Sequence, residues 1–358
     1  MPLKRYFKDL LIGGLFFALA FSTFPATLDA QTDTLVSVTG VGDIMMGTNY
    51  PSRNYLPPNG GDGLLSDVDS ILSSADVTFG NLEGTLFDGE GTAKRCRDTT
   101  KCYIFRTPAS YVKHLYDAGF DVISIANNHS GDFGNEGRIG TKAVLKNAGI
   151  AFAGLTGTGE TATFERNGTT FGFCAFAPNS GTCDIRDTTK AKQIVASLEH
   201  QCDIVIVSFH GGAEGSGFQH VPKTTETFLG ENRGDVYNFA HAVIDAGADI
   251  VFGHGPHVTR AVELYKDRFI AYSLGNFFTY SRISLAGVSG LAPIVKVVTD
   301  EKGAFVSGEI TATYQVKGHG PRIDPQKRVI AKIRELTASD FPDSGLLISE
   351  EGKIEKGF

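Results

Sequence analysis

Tryptophan is absent from the 358 residues, and no basic run occurs: 33 Lys and Arg stand against 40 Asp and Glu, a formal net charge of −7. An acidic chain with neither a basic stripe nor an indole stacking platform is a poor nucleic-acid binder, so nucleic acid is excluded as a partner. Cysteine is scarce, five in all, and no Cys-x-x-Cys pair exists, which disfavours thiolate zinc sites. Beyond the first thirty residues no apolar run is long enough to cross a bilayer. What is present is 41% hydrophobic residues, enough for a globular domain with a sizeable core.

The first residues read as targeting rather than fold. Lys4, Arg5 and Lys8 precede an apolar block over residues 10–21, and the stretch closes on Thr27-Leu28-Asp29-Ala30 before Gln31. That pattern predicts a secretory signal peptide over residues 1–30; an uncleaved N-terminal membrane anchor is the alternative. No cysteine closely follows the block, which argues against a lipoprotein anchor. Removing three bases together with Asp9 and Asp29 takes the charge from −7 to −8. The protein is therefore expected to act outside the cytoplasm, in the periplasm, extracellularly or at the cell surface. In such a compartment cysteines pair, and the short loops Cys96 to Cys102 and Cys174 to Cys183 are the first pairings to expect, with Cys202 left as a buried thiol. Connectivity itself is not deducible from sequence.

From residue 31 to about 336 one arrangement recurs: an amphipathic helix, a glycine, an apolar strand, then a polar loop. Residues 35–41 form a strand that leads to Asp43. A helix around residues 64–74 precedes a strand over residues 76–79 that opens into Gly80-Asn81-Leu82-Glu83-Gly84. Thr107 and Pro108 start a helix that Gly119 closes, and the strand over residues 122–126 opens into Asn127-Asn128-His129-Ser130-Gly131-Asp132. Residues 150–178 read as antiparallel sheet, with Asn167-Gly168 as a hairpin turn. A strand over residues 203–209 ends in His210-Gly211-Gly212, and Ile250-Val251-Phe252 ends abruptly in Gly253-His254-Gly255-Pro256-His257. No linker divides the chain into two domains, and residues 337–358 read as a polar tail.

Five strand exits thus carry metal-capable side chains: Asp43; Asn81 and Glu83; Asn128 and His129; His210; His254 and His257. Open α/β sheets hold ligands beyond the carboxyl ends of their strands. Singly, each residue has a plainer explanation, as a turn aspartate, a loop hydrogen-bond network or a structural histidine. Together they form a carboxylate, amide and imidazole set without thiolate. Such a set suits one or two divalent ions that activate water, such as zinc, manganese or iron.

These residues carry a resemblance. Gly42-Asp43-Ile44-Met45, Gly80-Asn81-Leu82-Glu83-Gly84, Asn127-Asn128-His129, His210-Gly211-Gly212, Gly253-His254-Gly255-Pro256-His257-Val258 and Ala271-Tyr272-Ser273-Leu274-Gly275-Asn276-Phe277 resemble, in order, the motifs of the bacterial capsule-synthesis protein CapA family. That family, defined by the PGA_cap domain, is associated with poly-γ-glutamate and is similar to calcineurin-like metallophosphoesterases. The resemblance runs from residue 35 to about 334.

It implies an α/β fold, a four-layer αββα sandwich of two mixed sheets, with a metal centre at one edge. It places Asp43 on a first metal, Glu83 in a bridging position, Asn128, His210 and His254 on a second metal, and His257 back on the first. His129 would protonate a leaving group, and Asn81, Arg260 and Asn276 would contact substrate, Arg260 as an anion clamp near His257. The implied function is that of an exported capsule-synthesis protein handling poly-γ-glutamate, as a hydrolase using a metal-activated water. The alternatives are a phosphoesterase, or a non-catalytic protein that binds the polymer through its metal. An anionic polymer or a phosphoester is the implied ligand, with capsule-assembly membrane proteins as further partners. Three positions depart from the patterns: Met45 replaces a histidine two residues after the first aspartate, Glu83 stands where phosphoesterases have aspartate, and Gly211 replaces the capsule family's tryptophan.

Overall fold

Strands buried on both faces account for the long apolar runs. In the computed structural model, which describes residues 35–96 and 102–357, Phe171, Phe173 and Ala175 of strand Thr169–Phe176 enter one apolar cluster, while Cys174 and Phe176 enter another. Ile204 and Ile206 divide from Val205, Val207 and Phe209 in the same way, as do Ile250 and Phe252 from Val251. The two-residue period of a strand sends alternate side chains to opposite layers, and here both layers are apolar. The expected signal segment, residues 1–30, lies outside the described residues.

Three clusters set the order of layers. The central one joins Val38, Phe79 and Val297 of a first sheet to Phe173, Ile206 and Phe252 of a second. Helices Thr188–Glu199 and Val236–Ile244 cover the outer face of the second sheet through Val195, Leu198, Phe239 and Val243. Helices Asp69–Leu72, Val112–Asp117 and Gly134–Asn147 cover the outer face of the first through Leu72, Leu115 and Leu145. The chain is therefore a four-layer αββα sandwich of two mixed sheets, as expected. At the centre Phe79 stacks on Phe252, with ring centroids 5.3 Å apart and planes 6° from parallel. Glycine is needed opposite them, because a Cβ at Gly40 would lie 2.6 Å from the Phe252 ring.

In the ten-stranded first sheet, Val36–Met45, Val77–Leu82, Val122–Ser124 and Ala151–Ala153 run parallel. On its other edge Val36–Met45 is shared: residues 36–41 pair antiparallel with Leu291–Thr299, and residues 43–45 pair parallel with Asn276–Thr279. That second partner carries the strand past residue 41, so Asp43 lies within a strand instead of beyond it. In the six-stranded second sheet, Arg268–Ala271, Ile250–His254, Ile204–His210 and Thr169–Phe176 are parallel neighbours, with hairpin strands at both edges.

Four expectations are corrected. Residues 150–178 are not one antiparallel unit: Ala151–Ala153 completes the parallel run of the first sheet, while the Asn167-Gly168 turn joins the hairpin of the second. The helix expected over residues 64–74 contracts to Asp69–Leu72 among tight turns. Residues 337–358 are not a tail, since helix Arg328–Asp340 runs into them and strands Leu346–Ile348 and Lys353–Lys356 extend the first sheet. Their polarity is that of an edge whose inward residue, Ile354, is buried. Cys96 and Cys102 are bonded, whereas Cys174 and Cys183 are free, buried thiols and Cys202 is half-buried. Cys174 and Cys183 sit as small apolar residues in the outer cluster of the second sheet, where burial pushes the Cys183 thiol up to about 11.

Asp249, one residue before strand Ile250–His254, ties that strand to its neighbour: its carboxylate accepts from the Val205 amide at 2.7 Å and pairs with Arg268 Nε at 2.9 Å. Burial nevertheless raises it to about 6, with the amide bond and Arg268 pulling the other way. A carboxyl whose folded value exceeds its unfolded one favours the fold when protonated. Its contribution is complete below the usual carboxyl range and is lost as pH rises through about 6. Asp249→Asn should flatten that part of the stability profile. Urea titrations between pH 4 and 7 should show wild type losing about 2 kcal/mol more than the variant over this range; parallel profiles would refute this.

Candidate metal centre

Parallel pairing in register builds the site as two rows. Along the first sheet Asp43 is paired with Asn81 on one side and Asn276 on the other. Along the second, His254 is paired with His210, each the last residue of its strand. The sheets face each other, so the rows meet: His254 Nδ1 lies 3.3 Å from Asp43 Oδ1, and His210 Nδ1 lies 3.5 Å from Glu83 Oε2. Glu83 follows its strand directly, and its amide donates to the Ile44 carbonyl at 2.9 Å, which holds it beside Asp43. His257 closes the group after a turn at Gly255-Pro256. Its backbone is left-handed, φ +57°, an uncommon conformation for a side-chain-bearing residue and one found where geometry serves a site. His257 Nδ1 reaches Asp43 Oδ2 at 2.9 Å and Asn276 Oδ1 at 3.1 Å.

The polar atoms here are short of partners. Glu83 Oε1, Asn128 Oδ1, His210 Nδ1 and both ring nitrogens of His254 are buried without a hydrogen-bond partner. Leaving a buried polar group unpaired costs about 1–3 kcal/mol, so several at one spot need a common explanation. Donor atoms of Asp43, Glu83 and His210 lie within 4.8 Å of one another. Carboxylate oxygens and imidazole nitrogens, without thiolate, are the donors that borderline divalent cations take. The residues present therefore fit such an ion.

The electrostatics agree. Burial alone would raise Asp43, but the adjacent imidazole of His254 and the hydrogen-bonded imidazole of His257 hold it far below the usual carboxylate range. Burial and the neighbouring Asp43 charge push Glu83 up to about 8. Burial lowers His210 well below the usual imidazole value, and Arg233 adds to this. Burial would lower His257 too, yet Asp43 carries it up to about 10. Two buried carboxylates this close hold one another's charge in check, and a divalent cation between them removes that conflict.

Beside this centre opens a cleft of about 560 Å³, lined among others by Asn128, His129, Glu214, Arg233 and His257. His129 is buried and oriented. Its Nδ1 lies 2.8 Å from Asp132 Oδ2, its ring packs on Phe105 with centroids 4.4 Å apart, and its Nε2 stands 3.9 Å from Glu83 Oε1. Burial lowers its pKa, against the pull of Asp132. Asp132 is itself clamped by the Phe105 amide at 2.7 Å and by Lys94 Nζ at 2.6 Å.

The three residues expected to contact substrate are buried and occupied by protein partners. Arg260 is fully enclosed: Nη1 and Nη2 bind the Glu226 carboxylate at 2.8 and 2.7 Å, and Nε donates to the Phe218 carbonyl at 2.8 Å. It anchors the loop around Glu226 and presents nothing to a ligand. Arg260→Ala should strand a buried carboxylate and destabilise the fold by about 3–5 kcal/mol, measured by chemical denaturation; a rise in KM in a fully stable variant would restore the clamp. Asn81 is also buried, its amide nitrogen donating to Asp43 Oδ1 and Glu83 Oε2, both at 2.8 Å. Asn276 donates to the carbonyls of His257 and Ser289 at 3.1 Å each. Asn81 thus holds Asp43 and Glu83 in place, and Asn276 holds the His257 backbone.

The family model described as bacterial capsule synthesis protein PGA_cap matches residues 37–281, which include every proposed metal ligand. The chain belongs to this family. Among relatives, the "PGA biosynthesis protein CapA" of Bacillus subtilis is 30% identical over 280 residues, covering 74% of this chain and 69% of its own length. The "Capsule biosynthesis protein CapA" of Bacillus anthracis is 29% identical over 263 residues, 68% of this chain, and this chain spans only 59% of that protein's length. Among solved structures, a 5'-nucleotidase precursor from Thermus thermophilus superposes with a TM-score of 0.44 at 10% identity, over 85% of this chain and 59% of that one.

Within this PGA_cap protein three positioning residues had escaped the sequence reading. Asn127 donates to Asn81 Oδ1 at 3.1 Å and accepts from the His129 amide at 3.0 Å, bridging two motifs. Arg233 pairs with Glu214 at 2.9 Å and approaches His210 Nε2 at 3.4 Å. Asp132 orients His129. Asn127 and Asp132 lie in the polar loop around His129, whereas Arg233 has no local signal.

Proposed function

We propose that this chain is an exported, metal-dependent hydrolase of capsule polymer, acting on poly-γ-glutamate or a chemically similar acidic chain. The observation that carries the reading is the convergence of unpartnered buried donors from both sheets at the floor of an open cleft. Asp43, Glu83, Asn128, His210, His254 and His257 would hold one or two divalent ions. Such an ion supplies Lewis acidity, bringing a water's pKa towards neutrality and offsetting charge on the group attacked.

The remaining work falls to the protein. With Nδ1 committed to Asp132, His129 has Nε2 free to take up a proton and return it to a leaving amine. Arg233, neutralised by Glu214, holds His210 in place. The capsule names of the relatives support a polymer substrate, and the apolar block after Lys4, Arg5 and Lys8 supports export.

One observation favours a second reading, that of a polymer-binding assembly protein without turnover: Met45, two residues after Asp43, replaces an imidazole and weakens the first metal position. Metal analysis of the purified protein, followed by incubation with poly-γ-glutamate and with a phosphodiester in manganese or zinc, separates the cases. Chain shortening supports the proposal and phosphodiester cleavage redirects it. Stoichiometric metal with binding alone leaves the assembly role.

A further inference from the structure

One lysine and two arginines line the cleft, and their situations differ. Lys94 is paired with Asp132 at 2.6 Å and Arg233 with Glu214 at 2.9 Å. Arg282, just past the end of the family match, has no carboxylate within ion-pair distance among the described residues. Its guanidinium carbon sits 4.9 Å from the Tyr55 ring centre and 5.5 Å from that of Tyr103. Nη2 makes one long bond, 3.3 Å, to the Cys102 carbonyl, and Nε is buried without a partner. The backbone at Arg282 is left-handed, φ +65°, which an arginine adopts only when its surroundings enforce it.

Those surroundings are tied to the metal centre. Ser281 Oγ donates to the Tyr55 carbonyl at 3.0 Å, and Asn276, which faces His257, donates to the Ser289 carbonyl at 3.1 Å and the Ser284 carbonyl at 3.4 Å. The loop that carries Arg282 is thereby fastened to the residue that orients a proposed metal ligand. A planar five-donor cation held over two aromatic rings keeps its direction while leaving N–H groups to offer; an oxyanion is the ligand it recognises best.

We propose that Arg282 is the specificity residue of the cleft, binding an oxyanion of the substrate away from the bond that is cut. This rests on the hydrolase reading for its catalytic readout but not for its binding readout. The shared chemistry is a carboxylate or phosphate presented to a fixed guanidinium, and the probes separate the two. With the full chain, calorimetric titrations would use a short γ-linked glutamate oligomer, the same oligomer with its carboxylates methyl-esterified, and a phosphodiester, in chelator and with manganese.

Arg282→Gln should weaken binding of the oligomer, or of the phosphodiester if phosphate is the ligand, roughly 10-fold or more. Binding of the esterified oligomer should be unchanged, and KM rather than kcat should move on whichever substrate turns over. Arg282→Lys should fall between the two, since an ammonium keeps the charge without the planar fork. Thermal melts of both variants report whether loss of the bond to the Cys102 carbonyl has merely loosened the fold. Equal loss for charged and esterified oligomers would make Arg282 structural and overturn the proposal. So would unchanged affinity for both anions in Arg282→Gln while wild type still cleaves or binds, an outcome that leaves the hydrolase reading standing. If wild type neither binds nor cleaves either anion, the reading and the anchor fall together.

Discussion

His254→Ala is expected to abolish metal-dependent hydrolysis, by roughly three orders of magnitude or more, while the metal-free protein melts close to wild type. The second half follows from the geometry. Both ring nitrogens of His254 are buried without a partner, which costs the metal-free fold stability, so removing the ring relieves a penalty. It also leaves a void beside Phe79, whose ring centre is 5.5 Å away. The two effects oppose each other. The difference appears when metal is added: an ion at a hundred times its dissociation constant stabilises wild type by about 2.7 kcal/mol. For a chain of this size that is a rise of about 5 °C. His254→Ala should show little of that rise and lose bound metal on dialysis; His210→Ala should behave alike. Retained hydrolysis after complete metal removal would dispose of the enzymatic reading, and an undiminished thermal shift in the variant would remove His254 from the ligand set.

How much of this was legible beforehand depends on where each residue's partner lies. Asp43, Glu83, His210, His254 and His257 announce themselves because each stands where an apolar run gives way to glycine, and the end of a buried parallel strand is where a polar side chain needs a purpose. The layer order follows from the same runs, since strands apolar on both faces require cover on both. Arg260 misled because nearness in sequence to His257 says nothing about direction; its partner, Glu226, is 34 residues away. Asn81 and Asn276 looked like substrate contacts, yet their register with Asp43 turns them into its supports. Cys174 and Cys183 have the spacing of a short disulfide loop, but two-residue alternation on strand Thr169–Phe176 commits Cys174 to an apolar layer. The final strands hid behind their charges, because a short strand near the sheet margin needs only one buried side chain, here Ile354, to be held.

Asp132→Asn is expected to lower kcat by about two to three orders of magnitude with KM and metal content nearly unchanged. The carboxylate serves three groups: the Phe105 amide and His129 Nδ1 hydrogen-bond Oδ2, and the Lys94 ammonium forms an ion pair with Oδ1. An amide has one acceptor to replace two. With its oxygen towards Phe105 and His129, its NH2 faces Lys94, donor against donor in a buried site. Reversed, the NH2 faces His129 Nδ1 and forces that atom to accept, moving the ring proton to Nε2, the atom that must be free to take one up. The first arrangement costs stability and the second costs chemistry, so the variant should melt lower and turn over slowly even well below its melting point. A purely structural role for Asp132 would lower the melting temperature and leave kcat intact at low temperature. That result, in a folded variant carrying a full complement of metal, would remove His129 from proton transfer and leave the metal ligands to act without it.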